Sequence, residues 1–474
     1  MPARRVDVVV VGAGPAGLAA AARLAASGAG RVEVLEREQQ AGGAPRHCAH
    51  GGFGTRAHPR TGPEYARLLT EAADRAGAVI RTGVTVLDWG ATGAAAGVAD
   101  PDPAVAGGSE AEPGVLDRGA GGASAPAAPS GGGRGVPTRV ADVGPGSAPV
   151  LSLAGTGPVL HVVGSRGPEV IAARAVVLAT GARERPRTAR LVPGTRPAGI
   201  YTTGELQQAV HLFGQHIGTR AVVVGAENVS YAAAGTVRAA GAEVVALVTE
   251  HPRAQVPLRQ AQSARLRHGI PLLTDTTVAE LLGHGRLSGV RIRHRDGRTA
   301  VLDCDTVVFT GDFVPDHELA RRGALTLDPG TRGPAVDGSL ATSRPGVFAA
   351  GNVLHAVEPA GTAAREGARA AGAVLDLLSG TAAWPGPGLP LTVEAPLRWI
   401  APNRVSPAAR PERYVLRTAV PLRRPVLYVR QDGRLLHRER PVPGTALPNR
   451  TLTLTARWHD RVDPEGGEVR VSAR

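Results

Sequence analysis

Three glycines at positions 12, 14 and 17, in the stretch GAGPAG, follow four consecutive valines and open an alanine-rich run. This spacing suits a diphosphate held against bare backbone. Gly12 permits a tight turn, Gly14 leaves room for phosphate, and Gly17 lets the helix pack closely on its strand. The free amides and positive potential of that helix N-terminus then face the anion. Glu36 closes the next expected strand, where a carboxylate can accept from ribose hydroxyls. With strand, helix and acid all in place, the reading is a dinucleotide site rather than a glycine-rich turn with no ligand.

A second stretch, AVVVGAENVSYAAAGTVRAAGAEVVALVTE at 221–250, repeats the design with two changes. Aligned on Gly225, it puts Glu227 where Gly14 stands and Ser230 where Gly17 stands. Two like charges 4 Å apart repel by about 4 kcal/mol at an effective dielectric of about 20. That is a large part of a micromolar binding energy of about 8 kcal/mol. The expectation is a retained scaffold with weak or absent nicotinamide-nucleotide binding, Glu227 capping its own helix. If NAD(H) does bind, Gly225, Ser230 and Glu250 are its candidate contacts, and the Glu250 carboxylate selects NAD over NADP.

The elements that must carry these turns point to an α/β chain with doubly wound, Rossmann-type units. At 474 residues it has length for two or three domains. A helix is expected at 62–76, where Tyr65, Leu68, Leu69 and Ala72 recur at helical spacing, and a strand at 79–86. Strands are also expected at 159–164 and 170–181. The organisation expected is a cofactor domain from 1–95, 158–205 and 316–380, with a nucleotide-binding-like domain nested at 206–315. A Pro-rich linker at 381–396 leads to a small β domain at 397–474, whose VLYVRQDGRLLHR forms a hairpin turning at Asp432-Gly433. From 96 to 157 the chain is mostly Gly, Ala, Pro and Ser, with no Ile, Phe, Tyr, Trp or Met, and is expected to be a disordered insertion.

Net charge is +13, and all 54 basic residues are arginine. A lysine-free, Ala-, Gly- and Pro-rich composition reflects a GC-rich coding background, so the charge is not read as a nucleic-acid footprint. From residue 391 onward 16 arginines stand against 8 acids. That asymmetry fits either a solvated face or a surface for an acidic partner. Two cysteines exclude a disulfide framework and suit a reducing, cytoplasmic setting. No run is long and apolar enough for a membrane span. The valine run after Arg4-Arg5 reads as a strand broken by glycines, not an export signal.

Two later segments resemble signatures of the two-dinucleotide-domain flavoproteins, the pyridine nucleotide-disulfide oxidoreductase superfamily. VVLATGA carries Ala179, Thr180 and Gly181, and TSRPGVFAAGN carries Gly351 and Asn352. The resemblance implies FAD as the cofactor of the first site. It also implies a role for position 352 at the ribityl chain, where the family usually has Asp. Asn can still accept a hydrogen bond there but carries no charge. Ala16, Arg37, Gly43 and Val84 complete the candidate FAD contacts. More narrowly, GGAPRHCAHGGFG, TGPEYA, IYTTGELQ and AGNVLH resemble a subgroup without paired redox cysteines. It includes the α-type subunits of opine oxidase, hydrogen cyanide synthase and sarcosine oxidase, and flavoproteins associated with glycerol 3-phosphate.

Neither CxxC nor CxxxxC occurs, so internal dithiol chemistry is not expected. His47, Cys48 and His50 follow Gly42-Gly43 closely and are the candidate catalytic group, with Arg46 and the histidines expected to lower the thiol pKa. A packed structural loop is the competing reading. A metal site using His58 as well lacks a second Cys/His pair, so none is expected. His355 and Glu358 are further candidates for the flavin's pyrimidine end. The expected function is oxidation of a small amine or amino-acid-like substrate, with electrons passing to a partner oxidoreductase subunit or small acceptor. The rivals are an NAD(P)H-dependent flavoprotein reductase and a non-catalytic subunit whose FAD is structural. Oligomeric state is not written in the sequence.

Overall fold

The computed structural model describes residues 3–55, 57–90, 157–441 and 444–474. The insertion expected at 96–157 falls almost wholly outside them. Helices run at Pro15–Ala26 (α1), Gly62–Arg75 (α2), Thr203–His211 (α3), Asn228–Ala239 (α4), Leu258–His268 (α5), Glu318–Arg322 (α6) and Ala360–Leu378 (α7).

The first sheet is ordered Val79–Arg81, Val32–Leu35, Arg4–Val11, Gly167–Leu178, Val159–Gly164, Thr85–Trp89, with Val347–Ala349 added beside Gly167–Leu178. The first four strands and Val347–Ala349 pair in parallel. The valine-rich runs of the central strands, residues 8–11, 32–35, 175–178 and 347–349, are buried, as strands covered on both faces must be, while the edge strand Val79–Arg81 is partly exposed. α1 packs against α2 and α7. A Cβ on Gly367 would overlap Ala16 O, so only glycine lets α7 approach α1 this closely.

The second sheet, Ile200–Thr202, Thr306–Phe309, Arg220–Val224, Glu243–Val248, Leu272–Leu273, is parallel throughout. α3 and α4 share one apolar cluster with it, and an antiparallel meander of Thr276–His284, Arg286–His294 and Thr299–Asp303 shares another. Ala182–Glu184 and Phe313–Pro315 pair antiparallel where the chain passes between the two sheets. Near the C-terminus, a five-stranded and a three-stranded sheet enclose a core around Tyr414 and Trp458. Its hairpin turns at Asp432 (φ +49°) and Gly433 (φ +79°), the backbone an Asp-Gly type I′ turn requires.

Two expectations change. The strand read at 79–86 is two strands: Val79–Arg81 pairs parallel with Val32–Leu35, and Thr85–Trp89 pairs antiparallel with Val159–Gly164. Gly83 (φ +65°) breaks the run, its amide bound to Glu38 O at 2.9 Å. Apolar continuity does not reveal a change of partner. The stretch read as linker contributes strand Leu389–Val393, because its alternating LPLTV finds the final strand, Val469–Ala473.

Fully buried Glu33 is held by Arg4 and by Arg31 Nε at 2.8 Å, while Arg81 Nη2 donates to Glu169 Oε2 at 2.7 Å. Burial raises both carboxyls, but hydrogen bonds and charge from Arg4, with Arg31 at Glu33 and Arg81 at Glu169, outweigh it and leave both lowered. A lowered carboxyl stabilises fully above its unfolded pKa of about 4.3 and loses that contribution as pH falls through the folded value. The contribution of this cluster should therefore be flat near neutrality and fall below about pH 4. Glu33→Gln should cost about 3–5 kcal/mol at pH 7 and flatten that acid limb. Urea unfolding across pH would show it; an unchanged acid limb in the variant refutes it.

Candidate functional site

The turn after Arg4–Val11 is shaped by close approach. Gly12 has φ +102°, its amide donates to Leu35 O at 2.8 Å, and a Cβ there would stand 2.5 Å from Ala179 O. A Cβ on Gly17 would overlap Gly12 O. Gly14 differs: as N-cap of α1 it has ordinary φ −81°, and a Cβ would meet nothing within 4 Å. No side chain caps α1 and its first turn holds no acid, so its leading amides are free to meet an anion. Gly43 walls the opening, its Cβ position lying 2.8 Å from Gly14 Cα.

Around this turn the other candidates gather at the carboxyl ends of the parallel strands, where α/β sheets bind ligands. Buried Glu36 accepts from Ala13 N (2.8 Å) and Glu38 N (2.9 Å), each oxygen keeping a lone pair for a ribose hydroxyl. Val84 N donates to Glu36 O at 2.8 Å and Ala179 N to Val11 O at 2.8 Å. Thr180 Oγ1 donates to Asp316 O at 2.7 Å, next to Gly181 at φ +77°. Gly351 lies over Ala16: a Cβ on it would stand 2.6 Å from Ala16 Cβ. Arg37 is exposed, 3.6 Å from Asp316. An uncapped helix start, an open Gly14 and a buried carboxylate fit the diphosphate and ribose of FAD.

Asn352 is occupied within its own segment. Its Oδ1 accepts from Glu358 N at 2.9 Å and its Nδ2 donates to Glu358 O at 3.3 Å. An aspartate could make the first bond but not the second. The expectation that His355 and Glu358 face the flavin is corrected: both are buried against other side chains. His355 Nε2 lies 3.0 Å from Glu366 Oε1, and Glu358 Oε1 lies 2.5 Å from Arg417 Nη2.

The thiolate expected at Cys48 is also corrected. Burial, with Glu184 nearby, pushes its pKa up to about 12, so the thiol keeps its proton and donates it to Gln207 Oε1 at 3.3 Å. Arg46 is turned away, paired with Glu38 at 2.5 Å. Burial pushes His47 down to about 4, leaving it neutral. His50 is exposed, with Nδ1 2.7 Å from Gly51 O. Sequence reasoning missed two members of this group. Glu184 lies two residues beyond VVLATGA, and Gln207 lies on α3. Glu184 Oε2 accepts from Gly204 N at 2.7 Å, while its buried Oε1 has no partner among the described residues. Burial raises its pKa against the amides of α3. Cys48, Glu184 and Gln207 thus meet where the two sheets join, with the thiol and imidazole uncharged. Among the described residues no cluster is placed to hold a metal ion.

In the second unit the Glu227 side chain folds back onto its own turn. Glu227, N-cap of α4, accepts from Ala226 N (2.9 Å) through Oε2 and from Thr310 Oγ1 (2.8 Å) through Oε1. Ser230 is fully buried with Oγ 2.7 Å from Thr310 Oγ1, so it cannot turn to a ligand. Arg190 donates to the carbonyls of Thr310 (3.1 Å) and Gly311 (2.7 Å), tying down the facing turn. Glu250 is exposed.

Residues 7–78 match the FAD binding domain family and residues 139–367 the pyridine nucleotide-disulphide oxidoreductase family. The chain is 29% identical to sarcosine oxidase subunit alpha of Rhizobium meliloti (strain 1021) over 34% of its length and 15% of that protein's. It is 32% identical to a ferredoxin–NADP reductase of Salinispora tropica over 41% of its length and 58% of that protein's. The matched segments thus span less than two thirds of these relatives. In fold it is similar to thioredoxin reductase of T. acidophilum, with TM-score 0.57 and 22% identity, covering 80% of this chain and 99% of that one. No helix among the described residues is long and apolar enough to cross a membrane.

Proposed function

We propose that the chain is an FAD-dependent oxidoreductase of the pyridine nucleotide-disulphide oxidoreductase family that draws its electrons from a small amine or amino-acid-like substrate. They then pass to a partner subunit or a small acceptor. The observation that supports this reading is Glu227, whose carboxylate stands on the turn of the second unit where the first unit has Gly14. With that donor disfavoured, the reducing equivalents must come from elsewhere. Similarity to one part of a sarcosine oxidase subunit supports an amine and a multi-subunit assembly. FAD, when bound, supplies the two-electron acceptor. The chain's own residues Cys48 and His47 stay uncharged, as thiol and as neutral imidazole, beside the Glu184 carboxyl.

The similarity to ferredoxin–NADP reductases favours the rival reading, in which NADPH or NADH is the donor. Anaerobic mixing of the FAD-loaded chain with NADH, NADPH and a panel of amines and amino acids separates the two. Bleaching of the flavin band by an amine, and by neither nucleotide within minutes, is the expected result. Bleaching by a nucleotide within seconds overturns it.

A further inference from the structure

The 351–358 segment leaves the last parallel strand of the first sheet carrying Gly351 and Asn352, and its shape depends on what surrounds it. Ala356 sits at φ +69°, a left-handed conformation that a residue with a Cβ adopts only under constraint. On one side, α7 supplies Glu366, whose Oε2 accepts from Gly351 N at 3.0 Å and whose carboxylate faces His355 Nε2. On the other, the C-terminal strands supply three grips. Arg417 Nη2 donates to Val357 O at 2.7 Å and pairs with Glu358 Oε1 at 2.5 Å. Thr451 Oγ1 donates to Glu358 Oε2 at 2.7 Å. Trp399 stacks on His355, ring centroids 5.8 Å apart and planes within 10°, and the Arg417 guanidinium lies 5.4 Å from the same indole.

We propose that the C-terminal β module is a working part of the FAD site: Arg417, Thr451 and Trp399 are positioning residues that hold 351–358 in its cofactor-binding shape. The proposal rests on reading the Gly12–Gly17 turn as the FAD site. Transmission is short, because Asn352 binds both the amide and the carbonyl of the residue whose carboxylate the module holds. The Glu358–Arg417 pair is buried on both sides, 4% and 8% exposed. Weakening either partner leaves the other charge inside without its counterpart and so displaces the segment. The same coupling makes bound FAD stabilise the module, since a ligand stabilises whatever its site requires to be folded.

The test uses the full-length apoprotein titrated with FAD, following flavin fluorescence, the visible absorption envelope and thermal melting. Thr451→Val removes one hydroxyl. Arg417→Lys keeps the charge but loses the planar guanidinium beside Trp399 and the Nη2 that reaches both Val357 O and Glu358. Arg434→Met, on the exposed hairpin, is the control. Thr451→Val should weaken FAD binding several-fold and Arg417→Lys about ten- to a hundredfold. Both should shift the bound flavin's absorption, and Arg434→Met should change neither. If both variants bind FAD within twofold of the parent, or melt lower with affinity and spectrum unchanged, the module is only a structural appendage and the proposal fails. Should Arg417→Lys not fold, Thr451→Val decides by the same criteria. A parent chain that takes up no FAD overturns the cofactor reading itself, a result distinct from either.

Discussion

Replacing Gly14 with glutamate is expected to weaken FAD binding about a thousandfold, while the apoprotein melts as before. The site separates these effects. Gly14 has an ordinary extended backbone, and a Cβ there meets nothing within 4 Å, so the side chain costs the fold little. Glutamate is also tolerated as an N-cap, as Glu227 shows in the second unit. What changes is the charge at the uncapped start of α1. A carboxylate about 4 Å from a phosphate oxygen costs on the order of 4 kcal/mol at an effective dielectric of about 20, which is about three powers of ten in affinity. Gly14→Ala, adding bulk without charge, should fall well short of that. Fluorescence titration of the apoproteins measures all three. A Gly14→Glu chain that holds FAD within tenfold of the parent would mean that the diphosphate lies elsewhere.

The reverse change is expected to open the second unit. Glu227→Gly removes the carboxylate that Ala226 N and Thr310 Oγ1 now bind. Without the carboxylate, the single Thr310 hydroxyl proton turns to Val224 O at 2.8 Å, with Ser230 Oγ at 2.7 Å, so the turn keeps its brace. Glycine is an acceptable N-cap, costing a few tenths of a kcal/mol. Affinity for NADH should rise by up to about a thousandfold, the same electrostatic cost with its sign reversed. Calorimetric titration of parent and variant with NADH gives the comparison directly. Micromolar binding by the parent would refute the idea that Glu227 blocks this site. No gain in the variant would place the block on buried Ser230 instead, and Glu227→Gly/Ser230→Gly would then be the chain that binds.

The contrast between the two units is legible in the amino-acid sequence, because it lies in residue identity at two turn positions. Turn chemistry is local: whether a residue has a Cβ or a charge at a helix start depends on that residue alone. The same holds for the Asp432-Gly433 hairpin and for the valine runs that become covered parallel strands. Periodicity told less at 79–89, where one apolar run serves two partners of opposite direction.

Protonation and partnership were set at a distance. The thiol of Cys48 looked activated beside Arg46, His47 and His50 in sequence. In the fold, Arg46 turns to Glu38, His47 loses its charge to burial, and Cys48 meets Gln207, 159 residues away. Glu227 was legible as an acid, but its partner Thr310 comes from a strand end 83 residues later. Nothing in the tail's arginine count singled out Arg417 as the residue that reaches Glu358. Residue identity was enough to say where backbone could be bare and where a charge would stand. Which charges survive, and whom they hold, was settled by packing in three dimensions. Desolvation and pairing depend on what lies within a few ångströms, and chain distance does not report that.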